Sequence, residues 1–214
     1  WTSRSAGCGL LSMETHPAIR PAGFIVYKFL NSIFLGLSVG AVFVLYTPLS
    51  PSIFSAGGIG LALGTVLVAT QYRRILVPIW FYRLSLLVEF TTLIGVVAVL
   101  ILPLDLTLAL FIYIGYQITF ALGGYLVRCE TLLMVSVDQL RKLDVAKQAG
   151  YLVGMAAAWA AYTGLAAFAG IEDRAAQVVA LHWPLLVTEA AVIAALLLAF
   201  NQDELRSTSA PLAL

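Results

Sequence analysis

The sequence predicts an all-α, polytopic integral membrane protein with six transmembrane helices. Of its 214 residues, 61% are hydrophobic and 11% are charged, against about 45–50% and about 25% in soluble globular domains. Its apolar stretches are long enough to cross a bilayer, which takes about 20 helical residues, and they lack the alternation of barrel strands. So little charge excludes a soluble enzyme, a nucleic-acid-binding protein and a disordered chain, and the net charge of +1 suggests no polyanionic partner.

The six predicted spans follow one another with short connections. They cover residues 23–46, 53–69, 76–102, 106–127, 149–169 and 181–200, and a helical continuation of the fourth span to Val135 is left open. Pro48 and Pro51 separate the first two spans, because proline ends one helix and can begin the next. Pro103 ends the third span. The polar run 138–147 is expected to link the fourth span to the fifth.

Basic residues are distributed very unequally between the two sides that this topology defines. One side holds nine of them: Arg4, Arg20, Arg73, Arg74, Arg128, Arg141, Lys142, Lys147 and Arg206. The other side holds Arg174. Because basic loops are retained on the cytoplasmic side, we expect both termini in the cytoplasm and place the protein in the bacterial cytoplasmic (inner) membrane.

The spans form one predicted domain, residues 22–201. Residues 1–21 are expected to be an N-terminal extension, flexible or partly non-native, because the first residues are small and polar and Met13 resembles a natural start. Residues 202–214 are expected to form a cytoplasmic C-terminal tail.

Small residues at helical spacing predict where helices pack closely. Lipid solvates apolar side chains well, so helices in a membrane associate through small residues that let backbones approach. Three Gly-x-x-x-Gly pairs carry this prediction: Gly36 and Gly40, Gly60 and Gly64, and Gly150 and Gly154.

Polar side chains inside or at the ends of the spans are functional candidates, because they are costly in hydrocarbon. They are Lys28, Asn31, Arg83, Glu89, Gln117, Arg128, Glu130 and Glu189. Long basic side chains can extend to the lipid headgroups. Four of these residues therefore form a predicted charged layer on the cytoplasmic side: Lys28, Arg83, Arg128 and Glu130.

The two remaining glutamates are harder to explain structurally. Glu89 lies about 20 Å from the cytoplasmic end of its span and Glu189 about 12 Å from the outer end of its own, at 1.5 Å per residue, so their depths match. Each is expected to be protonated, paired or facing a water-filled cavity. A predicted substrate and proton pathway therefore comprises Asn31, Glu89, Tyr113, Gln117 and Glu189.

Catalytic and metal-binding signatures are absent from the sequence. Cys8 and Cys129 are far apart, and His16 and His182 are the only histidines, so neither a disulfide framework nor a metal site is expected. His182 is expected at the membrane interface. No cofactor is predicted, and an enzyme is disfavoured because the spans supply no catalytic motif.

The six-helix pattern resembles one half of a major facilitator superfamily transporter. The segment from Tyr27 to Ser32 followed by Gly36 and Gly40 is similar to a first facilitator helix, and the segment from Lys147 to Gly154 to a fifth. Of the family signature between helices two and three, Gly64 and Arg73-Arg74 correspond, while the aspartate and the second glycine are missing. The resemblance implies two three-helix repeats.

Two functions of different classes remain open. If the resemblance holds, one chain supplies half of a transporter, so we expect a homodimer that moves a small solute of unknown identity, with Glu89 or Glu189 carrying a coupling proton. The alternative is a non-catalytic accessory or assembly subunit of a larger membrane complex. Its glycine faces would then contact partner subunits, and its polar residues would form structural pairs.

Overall fold

A computed structural model describes residues 18–134 and 136–207 of the protein. These residues form α1 (Pro21–Leu45), α2 (Pro51–Thr70), α3 (Tyr72–Ile75), α4 (Pro78–Ile101), α5 (Leu106–Leu133), α6 (Val137–Ala169), α7 (Arg174–Ala199) and α8 (Gln202–Ser207). Six of the helices, all but α3 and α8, are long and apolar enough to cross a membrane. The predicted all-α architecture with six apolar spans is therefore confirmed, and it is consistent with an integral membrane protein.

The sequence marks most helix starts. Proline occupies the first positions of α1, α2 and α4, where its missing N–H leaves no hydrogen bond unmade. Side chains cap the other long helices: Asp105 accepts from the Leu108 amide at 2.9 Å, and Asp173 from the Ala176 amide at 2.8 Å. Such caps satisfy amides that have no partner within the helix.

Two helices are longer than the sequence predicts. Residues 138–147, expected as a linker, are the first turns of α6, and α7 begins at Arg174 rather than at residue 181. Hydropathy marks the apolar part of a helix, whereas polar residues can continue the helix beyond it. Asp138 does so in α6 by pairing with Arg141 at 2.8 Å and with Lys142 at 2.6 Å. Helix α5 ends at Leu133, and Val135 lies outside the described residues.

The long helices contact one another mainly in the order α6, α1, α7, α4, α5, α2, which is called the row below. The row is curved, because Lys28 of α1 and Lys147 of α6 both reach Glu130 of α5. The central helices α1, α4 and α7 carry most of the buried residues. Helix α2 lies at one end of the row and has no buried residue. The row is therefore open at α2, which packs on α5 and, to a smaller extent, on α3 and the Tyr46 ring.

The two ends of the helical domain meet. Residues 18–20 lie beside residues 199–201, with the Arg20 amide donating to the Ala199 carbonyl at 2.9 Å and the Asn201 amide to the Ala18 carbonyl at 3.0 Å. The last residues of the stretch predicted to be an extension thus pair with the end of α7, and α8 lies inside the predicted tail. The expectations for residues 1–17 and 208–214 fall outside the described part of the chain.

Helices α1 and α6 cross in backbone contact through glycines. A Cβ added at Gly150 would meet the Phe29 carbonyl oxygen, and one at Gly154 would meet the Ile33 carbonyl oxygen and the Gly36 Cα. Gly40 faces the Tyr162 ring. Nothing in the described chain lies within 4 Å of the Cβ position of Gly60, and Gly64 alone of that pair approaches α5, at Ala121.

Candidate functional site

The core of the helix row contains a buried glutamate with three hydrogen bonds. Glu89 on α4 is 2% exposed. The Tyr27 hydroxyl donates to its Oε1 at 2.5 Å, and the Asn31 amide donates to both carboxyl oxygens at 3.2 and 3.3 Å. Tyr27 and Asn31 are four residues apart, so α1 presents both on one face. These donors stabilise a carboxylate at a depth where water cannot.

A second carboxyl group faces the first. Glu189 on α7 is completely buried and interacts with Glu89. Neither of its oxygens accepts a hydrogen bond from any described donor. Two ionised carboxylates cannot donate to each other, and an unpartnered buried charge is very costly. One proton held by the pair makes a hydrogen bond between them and removes one charge, so the geometry suits a singly protonated pair.

An ion-pair network lies next to the carboxyl pair. Lys28 on α1 pairs with Glu130 on α5, and Lys147 on α6 reaches the other oxygen of Glu130 at 3.2 Å. The Lys28 ammonium also lies 4.9 Å from the centre of the Tyr27 ring. The two lysines and the three glutamates of both clusters balance in charge when the carboxyl pair holds one proton.

The network lies at one of the two ends of the helices along their axes, and this end of the molecule is called the basic end below. It joins the early part of α1 and of α6 to the last turn of α5, and the Tyr125 hydroxyl brings α5 to the start of α4 by donating to the Ile75 carbonyl at 2.7 Å. The pairing of residues 18–20 with 199–201 adds the end of α7.

A cavity of about 340 Å³ lies between α1, α4, α5 and α7. Its lining includes Leu45, the last residue of α1, and Val99 near the end of α4, so it occupies the half of the molecule away from the basic end. The walls are largely apolar, with hydroxyls and the His182 ring among them. Small-molecule sites have this character and measure about 300–1,000 Å³.

The carboxyl pair and its donor Asn31 lie about one helical turn from the cavity, on the side toward the basic end, on α4, α7 and α1. Among the lining residues, Phe34 follows Asn31 by three positions, Thr92 follows Glu89 by three, and Leu185 precedes Glu189 by four. These offsets correspond to about 4.5–6 Å along a helix axis. The inner end of the cavity and the carboxyl pair are thus adjacent layers of one site.

The structure brings together three of the five residues assigned to a pathway, namely Asn31, Glu89 and Glu189. Tyr113 lies elsewhere, packed edge-on between Tyr46 and Phe54 with ring centres 5.5 and 5.4 Å away. Gln117 also lies apart from the pair, and its buried Oε1 has no partner among the described residues.

The predicted charged layer divides into two parts. Lys28 and Glu130 form a buried pair, whereas Arg83 and Arg128 are exposed. Arg128 is two positions from Glu130, which puts the two side chains on different faces of α5. Arg83 instead stacks on Trp80, with 5.5 Å between the guanidinium carbon and the ring centre.

Sequence reasoning missed Tyr27 and misplaced His182. The four-residue spacing of Tyr27 and Asn31 was the available signal for the first. His182 was expected at the membrane interface, but it is 4% exposed and lines the cavity. Because α7 begins at Arg174, His182 lies more than two turns inside the helix rather than at its start.

These features define a six-helix membrane-type protein with a buried carboxyl pair beneath an apolar cavity. Comparison with protein-family models, with curated proteins and with solved structures found no match for the chain. No group of three metal-ligating side chains occurs within the described ranges.

Proposed function

We propose that the protein transports a small solute across a membrane and couples this transport to protons. The observation that carries the proposal is the Glu89–Glu189 pair, buried next to a cavity of about 340 Å³. Ionisable groups inside membrane helices are costly and are typical of ion and proton pathways. A pair that holds one proton and keeps one negative charge can exchange that proton when its surroundings change.

The coupling follows from the neighbours of the pair. Tyr27 and Asn31 stabilise the ionised form of Glu89, while Glu189 has no donor of its own. A solute that fills the cavity changes the solvation of the layer just below it, and so changes the free energy of holding the proton. Such a shared dependence is a coupling free energy between solute and proton.

Orientation and assembly are also part of the proposal. The excess of basic residues at the basic end favours an orientation with both termini in the cytoplasm, in the manner of a bacterial inner-membrane protein. The proposal keeps the resemblance to half of a major facilitator transporter, built of two three-helix repeats. A homodimer would cover the exposed helix α2 and complete a solute path between two halves.

Purified protein in proteoliposomes with an internal pH dye tests this function. We expect that at least one class among amines, organic acids, sugars and amino acids moves protons in the wild type. Glu89→Gln and Glu189→Gln should abolish the movement, because an amide cannot exchange a proton at neutral pH. Glu172→Gln makes the same change at an exposed position and should leave it intact. Uptake without any effect of the two buried substitutions would contradict proton coupling.

One observation favours a second function, an accessory or assembly subunit. Helix α2 buries none of its residues, and the exposed face includes Ile59, Leu63 and Leu67. Mass measurement in mild detergent separates the two functions. A defined homodimer favours the transporter, whereas an obligate complex with other chains favours the subunit.

A further inference from the structure

The polar groups that line the cavity present mainly hydrogen-bond acceptors. Its serine and threonine hydroxyls all donate to carbonyls of their own helices: Ser38 to Leu35 at 3.0 Å, Thr91 to Leu87 at 2.8 Å, Thr92 to Val88 at 3.0 Å and Thr119 to Tyr116 at 2.9 Å. A hydroxyl whose proton is used in this way keeps its oxygen lone pairs for a ligand. These four hydroxyls can therefore accept hydrogen bonds from a ligand, while their protons are already donated to the backbone.

The histidine of the lining follows the same rule. His182 Nδ1 lies 2.7 Å from the Val178 carbonyl oxygen. A carbonyl only accepts, so Nδ1 carries the hydrogen, and Nε2 of the neutral ring is an acceptor.

The layer below the cavity adds negative charge. The oxygens of Glu189 lack a donor within the described part of the chain, and Glu89 lies beside it. The nearest lysine, Lys28, is paired with Glu130 toward the basic end. A positive group in the cavity therefore meets acceptors on the walls and a carboxyl pair beneath, with no competing cation between them.

We infer that the cavity binds a protonated amine with an apolar body. The apolar part packs on side chains such as Phe34, Ile112 and Leu185, and the ammonium N–H groups donate to the lining oxygens and to Nε2 of His182. The positive charge is stabilised by the adjacent carboxyl pair, which needs no proton when the cation is present. This inference rests on the proposed function and names the class of solute for the same site.

Three ligands of one shape test the inference: naphthylmethylamine, naphthylmethanol and naphthoate. Binding is measured by calorimetry to the protein in nanodiscs of zwitterionic lipid, and protein-free nanodiscs correct for partition into lipid. We expect the amine to bind at least about tenfold more tightly than the alcohol, as for a charge-assisted hydrogen bond, and the carboxylate to bind most weakly. Equal or tighter binding of the carboxylate, or amine binding no greater than to empty nanodiscs, would overturn the inference.

Matched variants assign the preference to the site. Glu189→Gln should reduce the ratio of amine to alcohol affinity severalfold, and Thr92→Val should weaken the binding of both ligands. Glu172→Gln and Thr65→Val are the controls, because Thr65 makes the same bond to its own helix, to Leu61 at 2.9 Å, on exposed α2. An unchanged ratio in Glu189→Gln that still binds the amine would contradict a role for the pair.

The result separates this inference from the proposed function. If the amine binds with the expected preference but moves no protons in proteoliposomes, the ligand class holds and proton-coupled transport fails. If another solute class moves protons and the amine shows no preference, transport holds and the ligand class is wrong.

Discussion

Individual side chains in the core of this protein are stabilised by very different numbers of partners. Glu89 has donors from Tyr27 and Asn31, Glu130 has two lysines, and Glu189 has another carboxyl as its neighbour. A buried carboxylate without donors is very unfavourable. The proton of the Glu89–Glu189 pair therefore belongs mainly to Glu189.

This asymmetry predicts the outcome of labelling with a hydrophobic carbodiimide, which reacts with protonated carboxyl groups. Wild-type protein should be modified at one carboxyl of the pair. Glu189→Gln should lose most of the modification, because the remaining Glu89 accepts from Tyr27 and Asn31 and stays ionised. Glu89→Leu should retain it, because Glu189 is then a lone carboxyl among apolar groups. Peptide mass spectrometry locates the adduct, and equal loss in both variants would contradict the assignment.

The Lys28–Glu130 pair predicts a double-mutant effect on stability. Lys28→Met should lower the free energy of unfolding by about 3 kcal/mol, as expected when one partner of a buried pair is removed. Lys28→Met combined with Glu130→Gln should recover part of that loss, because the buried charge of Glu130 is removed as well and the Lys147 ammonium is partly exposed to solvent. The thiol of Cys129, which is buried, reports unfolding through its reaction with a thiol dye during heating, in a Cys8→Ser background. Purely additive losses would show that the two groups act independently.

Helices pack in two different ways in this molecule. The α1–α6 crossing brings backbones into contact, so its geometry depends on Gly36, Gly150 and Gly154. At the other end of the row, α2 approaches α5 at fewer points, with Gly57 against Tyr113 and Gly64 against Ala121. Small residues have the same spacing in both places. Both helices of the α1–α6 crossing bury glycines of the motif, whereas α2 buries none of its residues.

The difference predicts unequal effects of alanine at two glycines of the same motif type. Gly154→Ala should lower stability by about 1–3 kcal/mol, the usual cost of overpacking, because its Cβ would meet Ile33 and Gly36. Gly60→Ala should cause no loss, because the added methyl enters open space. Thermal unfolding followed by Cys129 reactivity compares them directly. A similar loss in both variants would mean that Gly60 contacts something outside the monomer.

For the whole molecule, hydropathy predicted the number of spans because burial in lipid requires length and apolarity in each helix separately. The rise per residue also gave Glu89 and Glu189 matching depths. Which helices are neighbours depends on faces that meet across the fold, so the order of the row could not be obtained from periodicity. The surroundings of Tyr113 and His182 could not be obtained for related reasons: Tyr113 faces α2 rather than the carboxyl pair, and α7 begins before its apolar stretch, so that His182 lies more than two turns inside the helix.

The charge asymmetry of the whole chain predicts that the basic end of the molecule faces the cytoplasm. Two cysteine substitutions at exposed positions test this orientation: Asp144→Cys lies toward the basic end, and Glu172→Cys lies at the opposite end of the helices. Each removes one acidic group, and acidic groups have little influence on topology. In a Cys8→Ser background and intact bacterial cells, a membrane-impermeant maleimide should label Glu172→Cys. It should label Asp144→Cys only after permeabilisation, because the basic residues hold that end inside. Labelling of Asp144→Cys in intact cells would show the opposite orientation. The cavity, which lies away from the basic end, would then face the cytoplasm.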